Sequence, residues 1–484
     1  MYSGGWESTH PALTMALTMA LRVHMRSRQD QLLSGPRLPW WPTLRAGSAN
    51  RAKPANDMCA SIQRSGPSMK HVWILNHYAL EPGSSPGGTR HFHLAEHLRS
   101  SGWQATVIAA NAVGARERHL EAGRLSRLDS IRDVSFLWVR TPTYEGNGAG
   151  RILNMLAYSW RALRRRTTRG LPRPDVVIGS SVHPFAAAAG ALLAHRFKVP
   201  FVFEVRDLWP QTLVDMGRLR EGDFLTWALR KLELWLYRRA TRIVVLLPHA
   251  WEYIAPLGIP KERITWIPNG VDLSLFPPPT PARTVAPSER FTLMYFGAHG
   301  QANGLDNVLQ AMKLVQQRPE GRHIILRMVG DGGLKPALMA QAQQLGLCNV
   351  IFEPPVPKTR IPAVAMEADA FVIAVRDLPQ LYRYGISMNK LFDYLAAGRP
   401  IVIASNASNN PVADSTAGLT VAAEQPEALA DAIISIAAAP LEARLRMGRA
   451  GREYVERNHS FQLLAQRLAG VLDEACRPQA NPVS

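Results

Sequence analysis

Cysteine is almost missing from this chain. The three present, Cys59, Cys348 and Cys476, are odd in number and far apart, which excludes a disulfide framework and a cysteine zinc site and fits a reducing compartment. Long apolar runs are missing too. No stretch reaches the roughly 18 consecutive apolar residues of a membrane-spanning helix, so the chain does not read as integral to a bilayer. Acidic residues are scarce relative to basic ones, 38 against 56, leaving a formal charge of +18. Such an excess favours nucleic acid, anionic lipid or phosphorylated substrates. Nucleic acid is disfavoured, because zinc-finger spacing, a basic zipper and an RNA-recognition signature are all absent. No Asp-x-Asp metal motif occurs either.

What remains is an ordinary globular composition, 46% hydrophobic over 484 residues, too long for one core and suited to two or three domains. Residues 1–68 hold eight of the basic and three of the acidic residues and no sustained period. Their apolar part, Ala12 to Val23, is interrupted and has no basic residue before it, which argues against a signal peptide. Disorder is the expectation for this part. A clean strand, His71–Leu75, begins only after Met69, so we expect Met69 to be the natural start and residues 1–68 a misassigned extension. Mass spectrometry of the native protein tests this, since any peptide from before Met69 refutes it.

The most informative stretch is Tyr384 to Ile401. Ser387 or Asn389 can cap a helix there, Lys390 to Ala397 favour helix, Gly398 supplies a left-handed residue after the last turn, and Pro400 forbids continuation before the strand Ile401–Ala404. Unpaired N–H groups and the positive dipole end, with Lys390 one turn inside, suit a phosphate. Asp393 lies where a carboxylate accepts hydrogen bonds from sugar hydroxyls. The plainer alternative is an ordinary helix–strand unit with Lys390 and Asp393 as an i,i+3 surface pair.

Elsewhere short apolar strands alternate with helical patterns. The first strand runs into Glu81–Arg90, where Gly87 and Gly88 let backbone approach a ligand or simply form a turn. Ala105–Ala109, Val134–Val139, Asp175–Gly179, Pro200–Val205 and Ile243–Leu247 read as further strands. At strand ends, where open α/β sheets bind ligands, stand His183, Arg206 and Asp207; structurally, His183 is a helix cap and Arg206 with Asp207 a local ion pair. Residues 151–173 read as a basic amphipathic helix with seven arginines and no acid, suited to an anionic leaflet or to a solvated face. The helix Phe224–Arg239 is aromatic-rich. Pro268-Asn-Gly-Val-Asp272 and the prolines of 277–281 mark a domain boundary. A second series follows: Phe291–Gly297, the loop Ala298–Gly304, Ile324–Val329, Gly330–Gly333, Val350–Phe352 and Ala370–Ala374. Pro426–Ala438 and Leu441–Cys476 read as helices, the last broken near Asn458–Ser460.

Three of these pieces, Tyr384–Ile401, Arg206-Asp-Leu-Trp-Pro210 and Pro268–Asp272, resemble the family 4 glycosyltransferases of the GT-B fold. The resemblance spans about residues 69–475 and points to the branch that builds bacterial surface polysaccharides, which includes N-acetylfucosaminyl transferases. It implies two doubly wound Rossmann-like α/β domains facing a cleft, with a terminal helix crossing back to the first. The expected division is an extension 1–68, an acceptor-side domain 69–278, a nucleotide-sugar domain 279–458, and a crossover helix and tail 459–484. It further implies a retaining, metal-independent transferase moving a sugar from a nucleotide diphosphate, UDP by analogy, to a lipid-linked saccharide in O-antigen, capsule or exopolysaccharide synthesis. The protein would then be cytoplasmic and peripheral on the inner face of the plasma membrane, held through 151–173.

The implied catalytic set is Asp207, Arg206 and His183. The implied donor-binding set is Gly87, Gly88, Gly297, Gly300, Arg327, Gly330, Ser387, Asn389, Lys390, Leu391 and Asp393. The chain departs from the family pattern in three places. Gly385 stands where the first glutamate of the family's Glu-x7-Glu motif touches the donor sugar, Arg206 replaces a histidine, and Ala298 and Asn303 replace a diphosphate-holding Arg and Lys. Phosphate binding then falls to backbone N–H groups, Lys390, and Arg327 or Arg376. A UDP-sugar 2-epimerase of the same architecture, and a basic nucleic-acid- or membrane-binding protein, are the alternatives.

Overall fold

The computed structural model describes residues 69–83, 88–114, 116–146, 148–277 and 290–477. The expected extension 1–68, Gly87 and the boundary at 278–279 therefore lie outside the described residues. The described chain forms two α/β domains, each built on a sheet of mainly parallel strands.

In the first sheet, β1 (Lys70–Leu75), β2 (Trp103–Ala110), β5 (Ser126–Ile131), β6 (Val134–Val139), β7 (Val176–Ser180), β8 (Phe201–Val205), β9 (Arg242–Val245) and β10 (Ile264–Trp266) lie in the order β10-β9-β8-β7-β1-β2-β6-β5. Only β5 runs antiparallel to its neighbour. The small hairpin β3 (Ala112–Val113) and β4 (Arg116–Glu117) stands apart. The second sheet is β13-β12-β11-β14-β15-β16, from β11 (Phe291–Phe296), β12 (Ile324–Val329), β13 (Val350–Glu353), β14 (Ala370–Ala374), β15 (Ile401–Ala404) and β16 (Gly418–Val421).

Strands such as Val-Trp-Ile-Leu look uniformly apolar because both faces of each sheet are covered by helices. Val72 and Ile74 join one core, while Trp73 and Leu75 join the core on the opposite face. The same alternation separates Met294 and Phe296 from Leu293 and Tyr295. In both sheets the first strand has neighbours on either side that follow it in sequence, β2 and β7 beside β1, β12 and β14 beside β11. The chain therefore switches winding direction at β1 and at β11, which opens a crevice at their carboxyl ends. The loop that leaves β11, through Gly297, Ala298 and Asn303, lines an interdomain cleft together with Arg116 of the β3–β4 hairpin.

The terminal helix, Phe461–Cys476, returns to the first domain as expected. Its Phe461, Leu464, Leu468, Val471 and Leu472 share a core with β1, β2 and the helix Arg90–Leu98. The return is stitched at the crossover, where Val271 N–H donates to His459 O (3.0 Å) and Phe461 N–H donates to Val271 O (3.1 Å).

Two local expectations are corrected. The helix foreseen over 151–173 covers only Ala149–Ala162. Arg161 lies within it and donates to Arg140 O (2.7 Å), whereas Arg164, Arg165, Arg166, Arg169 and Arg173 follow beyond its end in turns and irregular chain. Helix Asn389–Ala396 begins after Met388, in extended conformation, and no side chain caps it. Neither Ser387 nor Asn389 has the foreseen capping role.

Candidate active site

Helix Asn389–Ala396 is held against the end of β11 by its own tyrosine: Phe296 N–H donates to Tyr394 Oη (2.8 Å), which donates back to Phe296 O (3.0 Å). Its approach is fixed from the other side by Ser387. Asn269, in the Pro-Asn-Gly turn, donates its N–H to Ser387 Oγ (2.9 Å) and its Nδ2 to Ser387 O (2.6 Å). The helix start thus opens on a cavity of about 590 Å³ lined by Gly297, Gly330, Asn389, Lys390 and Asp393 together with Pro355, Lys358 and Arg116.

Lys390 and Asp393 are not a surface pair. Lys390 Nζ donates to Tyr295 Oη (2.9 Å) and to Asn303 Oδ1, and lies 4.6 Å from the centre of the Tyr295 ring. No carboxylate meets it among the described residues. Although the cleft leaves it partly accessible, the surrounding protein desolvates the ammonium and lowers its pKa to about 7. Asp393 is buried and ion-paired with Lys358 through Oδ2, while its Oδ1 is buried with no protein partner. Burial pushes its carboxyl up, against the opposing pull of Lys358. An unpartnered buried acceptor is costly, on the order of 1–3 kcal/mol, and a ligand hydroxyl would satisfy it. One cation without a counterion and one open acceptor, one helical turn apart, form a cradle for an anion joined to a polyol.

The backbone around this cradle is tight. Gly330 has φ +148°, and a Cβ there would stand 2.0 Å from Gly297 O. Lys335 Nζ ties its loop down by donating to Gly330 O (2.8 Å) and Glu353 O (2.7 Å). Gly385 has φ +101°, and a Cβ would stand 2.7 Å from both Pro248 Cδ and Asn409 Oδ1. Gly385 is therefore an interdomain packing position, and a carboxylate side chain does not fit there without displacing Pro248.

Several expected donor-side residues have other work. Leu391 is fully buried in the second domain's core. Arg327 is committed to Glu353 (2.5 Å) and Glu367 (2.6 Å), which, opposed by burial, hold its guanidinium firmly charged; it does not line the cavity. Arg376 is paired with Asp306 (2.8 Å) and Glu424 (3.4 Å). Gly300 lies in the following loop, outside the cavity lining. Gly88 has φ +82° and packs beneath Tyr78 O.

At the end of β8, Asp207 is accessible to solvent but surrounded by protein on most sides. Those surroundings push its carboxyl up, while Arg206 draws it down. No side-chain ion pair joins Arg206 and Asp207 among the described residues, and Arg206 N–H donates to Ser181 Oγ (3.0 Å). Glu204, just before them, is buried and receives His91 Nε2 (2.7 Å), Arg90 Nε (3.0 Å) and Ser180 Oγ (2.6 Å). Burial alone would raise its pKa; His91 and Arg90 outweigh that and hold it well below the usual carboxylate range. Arg90 also donates to Ile267 O (2.9 Å) and Pro268 O, binding the strand end to the crossover.

His183 takes the structural role. It is fully buried and N-caps helix Pro184–Phe197, with Ala186 N–H donating to its Nδ1 (3.2 Å). Its Nε2 meets His77 Nδ1 at 2.7 Å. With Nδ1 accepting, the proton sits on Nε2 and is donated to His77, so neither nitrogen is free. Burial, reinforced by His77 and Arg151, keeps the imidazole neutral.

Arg116, Lys358 and Tyr295 stand in no recognisable motif and carry no signal in the sequence, and Asn269 reads there only as part of a boundary turn. Among the described residues, one trio has metal-ligand composition: His93, Glu96 and Asp272, with ligand atoms within 4.8 Å of one another. It lies outside the cavity lining, and Arg132 already engages Glu96.

Two facing parallel-sheet domains, a cleft at their switch points and a returning terminal helix define the GT-B class of glycosyltransferases. The chain belongs to the glycosyltransferase family made of a Glycosyl transferase 4-like domain, matched over residues 87–270, and a Glycosyl transferases group 1 domain, matched over residues 290–439. It is 24% identical over 299 residues, 59% of this chain and 70% of the relative, to the Escherichia coli K12 glycosyl transferase WcaI, named for colanic acid biosynthesis. Among solved structures, sucrose-phosphate synthase from Thermosynechococcus elongatus matches with a TM-score of 0.64 at 15% identity, covering 83% of this chain and 98% of that one. Anabaena HepE in complex with UDP-glucose matches with a TM-score of 0.56 at 16% identity, covering 84% and 99%.

Proposed function

We propose that the protein is a retaining glycosyltransferase that takes a sugar from a UDP-linked donor and places it on a lipid-linked saccharide during bacterial surface-polysaccharide synthesis. The observation that carries this reading is the pairing of Lys390, a desolvated cation without a counterion, with the open Oδ1 of Asp393 in one cavity at a switch point. Breaking the bond between a sugar and a diphosphate leaves negative charge on the diphosphate. Lys390 and the N–H groups at the start of Asn389–Ala396 stabilise that charge in place of a metal. Asp393 holds hydroxyls of the nucleoside sugar. We assign Asp207, at the end of β8, to the transferred sugar and the acceptor. The colanic acid relative supports the polysaccharide assignment, and the UDP-glucose bound in the HepE neighbour supports the nucleotide.

A lipid-linked acceptor fits the surface of the first domain. Helices Ala149–Ala162, Pro184–Phe197 and Phe224–Arg239 pack side by side, and they expose Leu153 (59%), Trp160 (56%), Leu192, Phe224 (60%) and Trp227 (55%). Arg164 lies 3.7 Å above the Trp160 ring, and Arg165, Arg166, Arg169 and Arg196 surround a hollow beside it. Aromatic side chains ringed by arginines suit the headgroup zone of an anionic leaflet, each basic residue contributing about 1 kcal/mol. Among the described residues no helix is long and apolar enough to cross a membrane, so this face would hold the protein peripherally at the cytoplasmic leaflet.

A thermal-shift panel of UDP-, GDP-, dTDP- and ADP-sugars, followed by nucleotide release with and without lipid acceptor, tests the reading. Stabilisation by UDP-sugars and release of UDP only with the lipid acceptor are expected. Sugar isomerisation without any acceptor would identify an epimerase instead, and no response to any nucleotide sugar would refute both.

A further inference from the structure

Resting on that reading, we infer that Arg116, carried by the first domain, completes the diphosphate site of the second. Five ionisable side chains line the cavity: Arg116, Asp331, Lys358, Lys390 and Asp393. Lys358 and Asp393 neutralise one another. Asp331 turns its Oδ1 back to accept from Gly332 N–H (2.8 Å). That leaves two cations without a counterion, Lys390 from the second domain and Arg116 from the first; among the described residues the Arg116 side chain has no hydrogen bond or ion pair.

Arg116 is presented by a firmly rooted element. It pairs with Val113 across the β3–β4 hairpin, and next to it Arg118 N–H donates to Asn111 O (2.8 Å), Asn111 Nδ2 donates to Arg118 O (2.9 Å), and Thr141 N–H donates to Asn111 Oδ1 (2.7 Å). Arg118 is clamped to Glu81 and lies 4.4 Å from the centre of the Trp138 ring. The neighbouring arginine is thus tied into the first domain while Arg116 faces the cavity.

A single lysine that is only partly protonated near neutral pH is a weak match for two phosphate groups. A guanidinium stays charged throughout and offers a fork suited to phosphate oxygens. In the transfer step the bond between the anomeric carbon and the diphosphate oxygen breaks, and its electron pair departs on the diphosphate. The acceptor oxygen forms the new bond to that carbon, and the hydroxyl proton passes to the departing diphosphate. Arg116 neutralises the charge that accumulates there. Because it comes from the opposite domain, the diphosphate site is complete only when the cleft holds both domains around the donor.

The test compares wild type, R116A and R116K for nucleoside di- and monophosphate binding and for turnover with the donor that wild type uses. R116A should lower kcat on the order of 10²-fold and reduce the preference for diphosphate over monophosphate about tenfold, with an unchanged melting temperature because the side chain is exposed. R116K should recover part of both, since it keeps the charge but not the fork. Wild-type binding together with an unaltered R116A preference and kcat overturns the assignment alone. So does a defect confined to the KM for the lipid acceptor. A wild type that binds no nucleoside diphosphate overturns the glycosyltransfer reading and this assignment with it.

Discussion

Replacing Lys390 by methionine should make the free protein more stable while removing its turnover. The ammonium is desolvated, and its pKa falls from 10.5 to about 7. A displacement of that size corresponds to at most about 5 kcal/mol against the charged form. Solvent still reaches the cleft, and methionine also forfeits the bonds to Tyr295 and Asn303, so the expected net gain is about 1 kcal/mol. The sign with pH follows from a folded pKa lying below the unfolded one. Below about pH 7 both states hold the proton and the penalty is full; as pH rises from 7 towards 10.5 the folded lysine sheds its proton first, and the penalty fades. Lys390→Met should therefore exceed wild type in urea-unfolding stability at pH 6 by more than at pH 9.

Bound diphosphate restores the charge on Lys390, so wild-type affinity for a nucleoside diphosphate should fall as pH rises above about 7. The same titration of Lys390→Met cancels the nucleotide's own ionisation and should lack that additional fall. Equal stability differences at pH 6 and 9, together with parallel affinity curves, would refute the reasoning.

Other perturbations probe the frame around the site. Glu204→Gln strips the buried carboxylate from Arg90 and His91 and should cost about 3–5 kcal/mol, read by chemical denaturation. Since the native pKa of Glu204 is depressed, its contribution is present above the ordinary carboxylate range and should disappear on acidification, a pH dependence that the variant lacks. Gly385→Ala puts a side chain against Pro248 at a positive φ and should alter domain closure, seen as lower kcat with the second domain's own nucleotide binding retained. Leu464→Ala, in the core beneath the returning helix, should cost about 2–5 kcal/mol by the same denaturation assay. Trp160→Ala with Trp227→Ala should reduce flotation with anionic liposomes, and equal recovery on neutral and anionic lipid would count against the membrane face.

The fold was legible where local chemistry punctuates it. Gly398 and Pro400 end a helix by backbone geometry alone, and the buried parallel strands announce themselves as short apolar runs because both their faces are covered. Residues 151–173 read as one helix because arginine is a good helix former; the helix ends at Ala162, ahead of the turns around Thr167, Thr168 and Gly170. At the site, the placing of Lys390 and Asp393 was readable from the helix start, but their partners were not. Lys358 and Tyr295 reach them from other elements of the second domain, and Ser387 reads locally as a cap because its partner, Asn269, is 118 residues away. Arg327 is likewise claimed by partners distant in sequence, Glu353 on the adjacent strand and Glu367.

The central claim is tested most directly by incubating the protein with a sugar-labelled UDP donor and a lipid extract from a bacterium that makes surface polysaccharide, then counting label in the organic phase. The account predicts label entering the lipid in wild type and falling at least about 100-fold in Lys390→Met and in Asp393→Asn. Label that stays aqueous with UDP-, GDP-, dTDP- and ADP-sugars alike, or transfer undiminished in both variants, would contradict it.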